Sequence, residues 1–208
     1  MRIVVIGAAG RTGREVVRQA LGHGHDVRAF VRSTTLDLAD ARLETIAGDV
    51  LSFDDVEHAV RGCDAVVFAV GSGGGREVTV FSEGVANVLH AMAVHGVDKL
   101  VAISAAGAFA RKDPRISLGF RLMISTVLKP VYDDMERMEQ RVAASGVDWT
   151  IIRPVGLTDG PLTGTYRVSL DGSLLPKAER IARADVAALA LKAVETHAFS
   201  RSTLVVAD

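Results

Sequence analysis

Apolar positions along the chain fall into two rhythms. Short unbroken runs such as Ile3-Val4-Val5-Ile6 and Ala65-Val66-Val67-Phe68 alternate with longer stretches whose apolar residues recur every three or four positions. The first rhythm suits strands buried on both faces and the second suits helices, so their alternation predicts a parallel sheet covered on both sides. The expected order begins with a strand at 2–6, a helix at 11–21, a turn at 22–25 and a strand at 26–31. A short strand at 43–47 ends in Gly48-Asp49-Val50. A helix at 53–60 follows, with Asp54 and Asp55 in its first turn, where the helix dipole favours acids. A strand at 65–70 runs into the flexible glycine-rich loop 71–75, and a helix at 78–95 stops at Gly96, which suits a left-handed cap. A strand at 99–104 precedes a loop of mixed polarity at 105–116. Helical spacing then resumes up to Ser145-Gly146, with Pro130 as a break. A strand at 149–153 stopped by Pro154, a strand near 165–170, a helix at 184–196 and a strand at 203–206 complete the order. No linker, repeat or low-complexity tract interrupts it, so one α/β domain spanning 1–208 is expected.

Composition narrows the function classes. The chain is 49% apolar and 24% charged, as ordinary soluble proteins are, and its net charge of -1 offers no attraction to nucleic acid or an anionic membrane. No run approaches the ~18 apolar residues of a membrane span. No charged leader precedes the first strand, which argues against a signal peptide. The single cysteine, Cys63, has no internal partner, which fits a reducing cytoplasm, and its place before an apolar run marks it as core rather than as a nucleophile. The six histidines form no ligand set at motif spacing. His23 and His25 are close enough in sequence to share a metal, but they occupy Gly-His-Gly-His-Asp, which reads as a solvated turn, so no metal is expected.

The sharpest chemical signal is Gly7-Ala8-Ala9-Gly10-Arg11-Thr12-Gly13, directly after the first strand and opening the first helix. Gly7 permits the tight turn, Gly10 lets backbone N–H groups approach a pyrophosphate, and Gly13 allows helix and strand to pack closely. Arg11 and Thr12 lie inside this turn, which makes a bound dinucleotide the leading reading. The second strand ends at Val31-Arg32 with no acid before Asp37. An acid there would accept the ribose hydroxyl of NAD, whereas an arginine suits the extra phosphate of NADP. Arg32, with Arg11 as a second cation, therefore favours NADPH over a merely solvated arginine. Asp49 and Val50 after the third strand are candidates for the adenine, and Val70, Gly71 and Ser72 after the fourth for the ribose and pyrophosphate. Ordinary turns or helix caps are the competing reading at both places.

These residues, with Ala93-Val94-His95-Gly96-Val97-Asp98-Lys99, Asp159-Gly160-Pro161-Leu162-Thr163-Gly164-Thr165-Tyr166 and Ser169-Leu170-Asp171-Gly172, resemble the atypical short-chain dehydrogenase/reductases. Within that superfamily the chain is most similar to the biliverdin-IXβ reductase or NADPH-dependent flavin reductase family, over nearly its whole length. The glycine turn is shared by many reductases and epimerases, while the Gly-Pro-Leu-Thr-Gly segment is more particular. The resemblance implies a single-domain Rossmann fold, a doubly wound, mainly parallel sheet with a small C-terminal substrate-side region. It also implies hydride transfer from NADPH to a flavin or linear tetrapyrrole in a shallow pocket. Ser104 matches a serine placed beside the nicotinamide, although a serine bonding its own backbone is the plainer alternative. Pro154 and Val155 join the implied cofactor set. The chain departs from the family in lacking two pocket histidines, one falling at Met135 and the other near Val155 in Arg153-Pro154-Val155-Gly156, which leaves the acceptor open.

The usual dehydrogenase pair is missing. Tyr132 is followed four residues later by Glu136, not lysine, and Tyr166 by Leu170. An acid at that spacing raises a tyrosine pKa rather than lowering it. Asp133, Asp134, Glu136 and Glu139 read as a solvated helix face, and Met123, Met135 and Met138 as core or pocket lining. A monomeric cytoplasmic NADPH-dependent flavin or tetrapyrrole reductase is the leading expectation, and a non-catalytic NADPH-binding redox sensor the alternative.

Overall fold

A computed structural model describes residues 1–33, 36–72, 78–109, 119, 122 and 125–208. Its main sheet carries β1 (Arg2–Ile6), β2 (Asp26–Val31), β3 (Leu43–Ala47), β4 (Ala65–Phe68), β5 (Lys99–Ile103), β6 (Asp148–Pro154), β8 (Arg167–Ser169) and β10 (Ser202–Ala207). They lie in the order β3-β2-β1-β4-β5-β6-β10-β8, parallel except for β8. The chain leaves β1 in one direction for β2 and β3 and returns beside it as β4, so the switch point lies between β1 and β4. This is the α/β Rossmann arrangement. Crevices at such points open at the carboxyl ends of the strands.

Strand alternation explains the two cores. Ile3, Val5, Val27, Ala29, Val101 and Ile152 face α1 (Arg11–Gly22) and the last helix, Arg183–Glu195. Val4, Ile6, Val66, Phe68, Leu100 and Ile151 face α2 (Phe53–Val60), α3 (Val80–His95) and the helix Lys129–Ala143. Among the described residues, α4 (Ala106–Phe109) precedes α5 (Lys129–Ala143) and α6 (Arg183–Glu195). Ser52 caps α2 by accepting from the Asp55 N–H, and Gly96 ends α3 at φ 65°, as its position predicted.

Several expectations need correction. The fourth strand stops at Phe68, not residue 70, and α3 starts at Val80. The stretch expected as a loop at 105–116 begins with the helical turn of α4; its residues 110–116 lie outside the described set, as do 34–35, 73–75 and Met123. Pro130 sits in the first turn of α5, where a missing N–H costs nothing, so it marks a start. Two unanticipated strands, β7 (Gly156–Thr158) and β9 (Arg180–Ala182), form a small parallel sheet of their own. The acids of α5 are not all solvated: Asp134 is fully buried and Glu139 nearly so. No described helix is long and apolar enough to cross a membrane.

Candidate functional site

The glycine turn is built by close approach. Gly7 takes φ 87°, a conformation that side-chain-bearing residues rarely adopt, and a Cβ there would stand 2.6 Å from the Ala69 carbonyl oxygen. A Cβ on Gly13 would lie 2.3 Å from the Gly7 carbonyl oxygen. The N–H groups of Gly7 and Ala8 both reach the Phe30 carbonyl at 3.2 Å, which fixes the turn against β2. Gly10 caps α1 without a side chain, and no acid stands in the first turn. The N–H groups of Arg11, Thr12 and Gly13 are those that a helix leaves without internal acceptors, at its positive end. The cradle fits a pyrophosphate.

Arg32, Asp49, Val50, Val70, Gly71 and Ser72, Ser104, and Pro154 with Val155 end or follow β2, β3, β4, β5 and β6 respectively. All therefore line the carboxyl edge of the sheet with the glycine turn. Arg32 is exposed and has no ion-pair partner among the described residues. Arg11 instead pairs with Asp159 at 3.1 Å, and Asp159 also holds Arg183 at 2.5 Å. The first pair is well exposed, hence worth about 0–1 kcal/mol, and a phosphate can displace it. Asp49 spends Oδ1 on the Leu51 N–H in its own turn. Val50 is buried beneath Gly84, with its carbonyl accepting from Asn87 Nδ2 at 3.0 Å.

Ser104 is only 5% exposed and its N–H donates to the Ile152 carbonyl at 2.8 Å. Its hydroxyl has no partner among the described residues. A buried hydroxyl without a partner costs about 1–3 kcal/mol, and its place at the end of β5 gives that cost a purpose if a ligand supplies the missing bond. The alternative of bonding its own backbone is not what the side chain does.

Neighbouring groups shape this edge in ways the sequence did not reveal. The Tyr132 ring packs so tightly on Gly107 that a Cβ there would lie 2.5 Å from its Oη, and burial raises the phenol pKa. Burial, then the Asp185 charge, does the same to Tyr166. Neither is a depressed acid of the dehydrogenase type. Arg153 binds Glu139 through Nε and Nη2, the latter at 2.6 Å, and stacks 3.3 Å over the Phe109 ring, tying β6 and α5 to the turn after Ser104. Buried Asp185 accepts from the N–H groups of Thr163 and Gly164 at 3.0 and 2.8 Å and so anchors the Gly-Pro-Leu-Thr-Gly segment. A cleft of about 480 Å³ opens between that segment and β9, lined by Thr158, Pro161, Thr163 and Arg180 but not by Ser104. Met135 is half-buried against the core and Met138 fully within it. Burial pushes the Cys63 thiol up, which agrees with a core role.

Comparison with known proteins adds to this geometry. A family model described as NAD(P)H-binding matches residues 7–197. The chain is 30% identical to the "Uncharacterized sugar epimerase YhfK" of Bacillus subtilis (strain 168), across 96% of this chain and 92% of that protein. It is 28% identical to the photosystem II assembly factor Ycf39 of Synechocystis, across 98% of this chain but only 61% of that protein. A short-chain dehydrogenase/reductase from Veillonella parvula solved in complex with NADP superposes with TM-score 0.83 at 15% identity, covering 100% of this chain and 94% of that one. SP1627 from Streptococcus pneumoniae, provisionally named an NADH-flavin reductase, superposes with TM-score 0.82 at 20% identity, covering 100% and 99%. At such identities the superpositions establish the fold alone.

Proposed function

The chain belongs to the NAD(P)H-binding family, and from that premise we propose that it is an NADPH-dependent reductase transferring hydride to a flavin or a linear, biliverdin-like tetrapyrrole. The observation that carries the reading is the buried Ser104 hydroxyl, without a partner among the described residues, on the same sheet edge as the glycine cradle. In this reading the N–H groups of Arg11, Thr12 and Gly13, with Gly7 and Gly10 shaping the turn, hold the pyrophosphate. Arg32 and Arg11 take the 2′-phosphate, Asp49 and Val50 the adenine, Val70, Gly71 and Ser72 the ribose, and Pro154 and Val155 the end nearest Ser104. The cofactor, when bound, supplies the hydride.

Ser104 donates to the nicotinamide amide or to the acceptor and holds the two rings in register. An acceptor with delocalised electrons needs stacking and position more than a strong acid, which agrees with Tyr132 and Tyr166 being raised rather than lowered. Supporting the acceptor class are the resemblance to flavin and biliverdin-IXβ reductases and the name of SP1627. The protein acts as a cytoplasmic monomer on a small molecule, without nucleic acid or membrane. A second reading, a non-catalytic NADPH-binding sensor, draws on the assembly-factor name of Ycf39. The epimerase name of YhfK suggests a third chemistry, which the absent tyrosine–lysine pair disfavours. The test is to mix purified protein with NADPH and, in turn, FMN, FAD, riboflavin and biliverdin, and to follow the nicotinamide absorbance. Protein-dependent oxidation with one of them is expected; saturable NADPH binding with no oxidation above background overturns catalysis in favour of the sensor.

A further inference from the structure

We propose that His23, His25 and Glu195 form a binding site for a divalent transition metal of the zinc class, at the sheet edge opposite the cofactor cradle. The turn expected to be merely solvated delivers both imidazoles to one carboxylate. His23 Nδ1 lies 2.7 Å and His25 Nε2 2.9 Å from Glu195 Oε1, and the three ligand atoms fall within 4.8 Å of one another. Ligands bonded to zinc at about 2.0–2.1 Å in a tetrahedral site stand roughly 3.3 Å apart, so each imidazole–carboxylate separation has to open by about half an ångström to admit the ion. Two imidazoles with one carboxylate suit zinc, nickel or copper and are poor donors for calcium or magnesium.

The site is held in advance by the packing of its two elements. The His23 N–H donates to Gln19 O, the Gly24 N–H to Leu21 O and the His25 N–H to Ala20 O, which locks the turn onto the end of α1. Gln19 Nε2 donates to the Ala184 carbonyl at 2.9 Å, and Val17, Ala20 and Leu21 share one core with Leu189, Ala190 and Ala193, which joins α1 to α6. Both helices end here: His23 is the C-cap of α1, and Glu195 is the last residue of α6. Two negative dipole ends therefore converge on a spot that favours a cation. The His25 side chain is 13% exposed and that of His23 50%, so the site is shielded on one side and open to solvent on the other. Three protein ligands leave a fourth position for water. Because β2 starts at Asp26, next to His25, and Arg32 follows its far end, the metal and the dinucleotide occupy opposite ends of the same strand.

The test is calorimetric titration of the full chain with Zn²⁺ alone, beside His23→Ala, Glu195→Gln and the combined His23→Ala/His25→Ala/Glu195→Gln variant. One ion per wild-type chain is expected, with affinity at least tenfold weaker in each single variant and lost in the combined one. Zinc should also raise the wild-type melting temperature and leave that of the combined variant unchanged. The metal-free melting temperatures report whether the variants fold. Should His23→Ala fold poorly, Glu195→Gln alone, which keeps both rings, decides. Absence of zinc binding by the wild type, or equal binding by wild type and Glu195→Gln, overturns the site.

Discussion

Ser104 and Arg32 carry opposite kinds of evidence. Ser104 is buried with a hydroxyl that finds no partner among the described residues, so removing that hydroxyl relieves the free protein of an unmet polar group. Ser104→Ala should leave the melting temperature unchanged or raised while kcat/KM falls about tenfold, the scale of one lost hydrogen bond at a ligand. A loss of stability together with activity would mark Ser104 as structural. Arg32 is exposed and adds nothing evident to the fold. Arg32→Glu should weaken NADPH binding about 10- to 100-fold, the cost of losing charge-assisted bonds to a phosphate, and leave NADH binding nearly unchanged. Equal losses in fluorescence titrations of the two cofactors would remove Arg32 from the 2′-phosphate. Both residues were legible in the sequence, because each follows a strand whose end an apolar run makes obvious. What was not legible is that Arg11 already has a partner, since Asp159 lies 148 residues away.

Among the elements, the junction of α3 and α5 depends on one carboxylate. Asp134 of α5, fully buried, accepts from the N–H groups of Phe81 and Ser82 and from the Ser82 hydroxyl, and it pairs with Arg137 at 3.0 Å. It serves as the N-terminal cap that Thr79 does not provide, since α3 has no side-chain cap of its own. Asp134→Ala should cost about 2–4 kcal/mol, because it leaves buried helix donors without their acceptor and takes away the carboxylate that pairs with Arg137. A shift in the urea midpoint checks this, and an unchanged midpoint would show that water replaces the cap. On sequence alone Asp134 reads as one of several acids on a solvated face, since periodicity says where a helix turns but not which distant helix it meets. The short β7 and β9 were missed for a related reason: three residues show no period, and their pairing is with each other rather than with the main sheet. The long apolar runs of β1, β4 and β5 needed no such partner to be recognised.

For the whole molecule, ion pairs stitch the amino edge of the sheet and set its response to acid. Burial opposes ionisation of Asp148, yet bonds from Lys99, Ser200 and His197 hold its carboxyl below the usual range. Glu57 is lowered by Arg61 and then by His95. Carboxyls that ionise more readily folded than unfolded contribute fully above the unfolded value of about 4 and lose that contribution as pH falls from there through the lowered folded value. The melting temperature should therefore drop between neutral pH and about pH 3, with a flatter profile for Asp148→Asn; parallel profiles would show that Asp148 takes no part. The opposite edge gathers the glycine cradle, Arg32 and Ser104, and the account rests on hydride leaving a nicotinamide there. The most direct measurement is a single turnover with NADPH deuterated at the transferring C4 position and the best of the flavin or tetrapyrrole acceptors. The account predicts protein-dependent loss of the nicotinamide band, slowed severalfold by deuterium, with the label recovered in the reduced acceptor. Tight NADPH binding with no turnover of any acceptor, or turnover indifferent to deuterium with none of the label transferred, would contradict it.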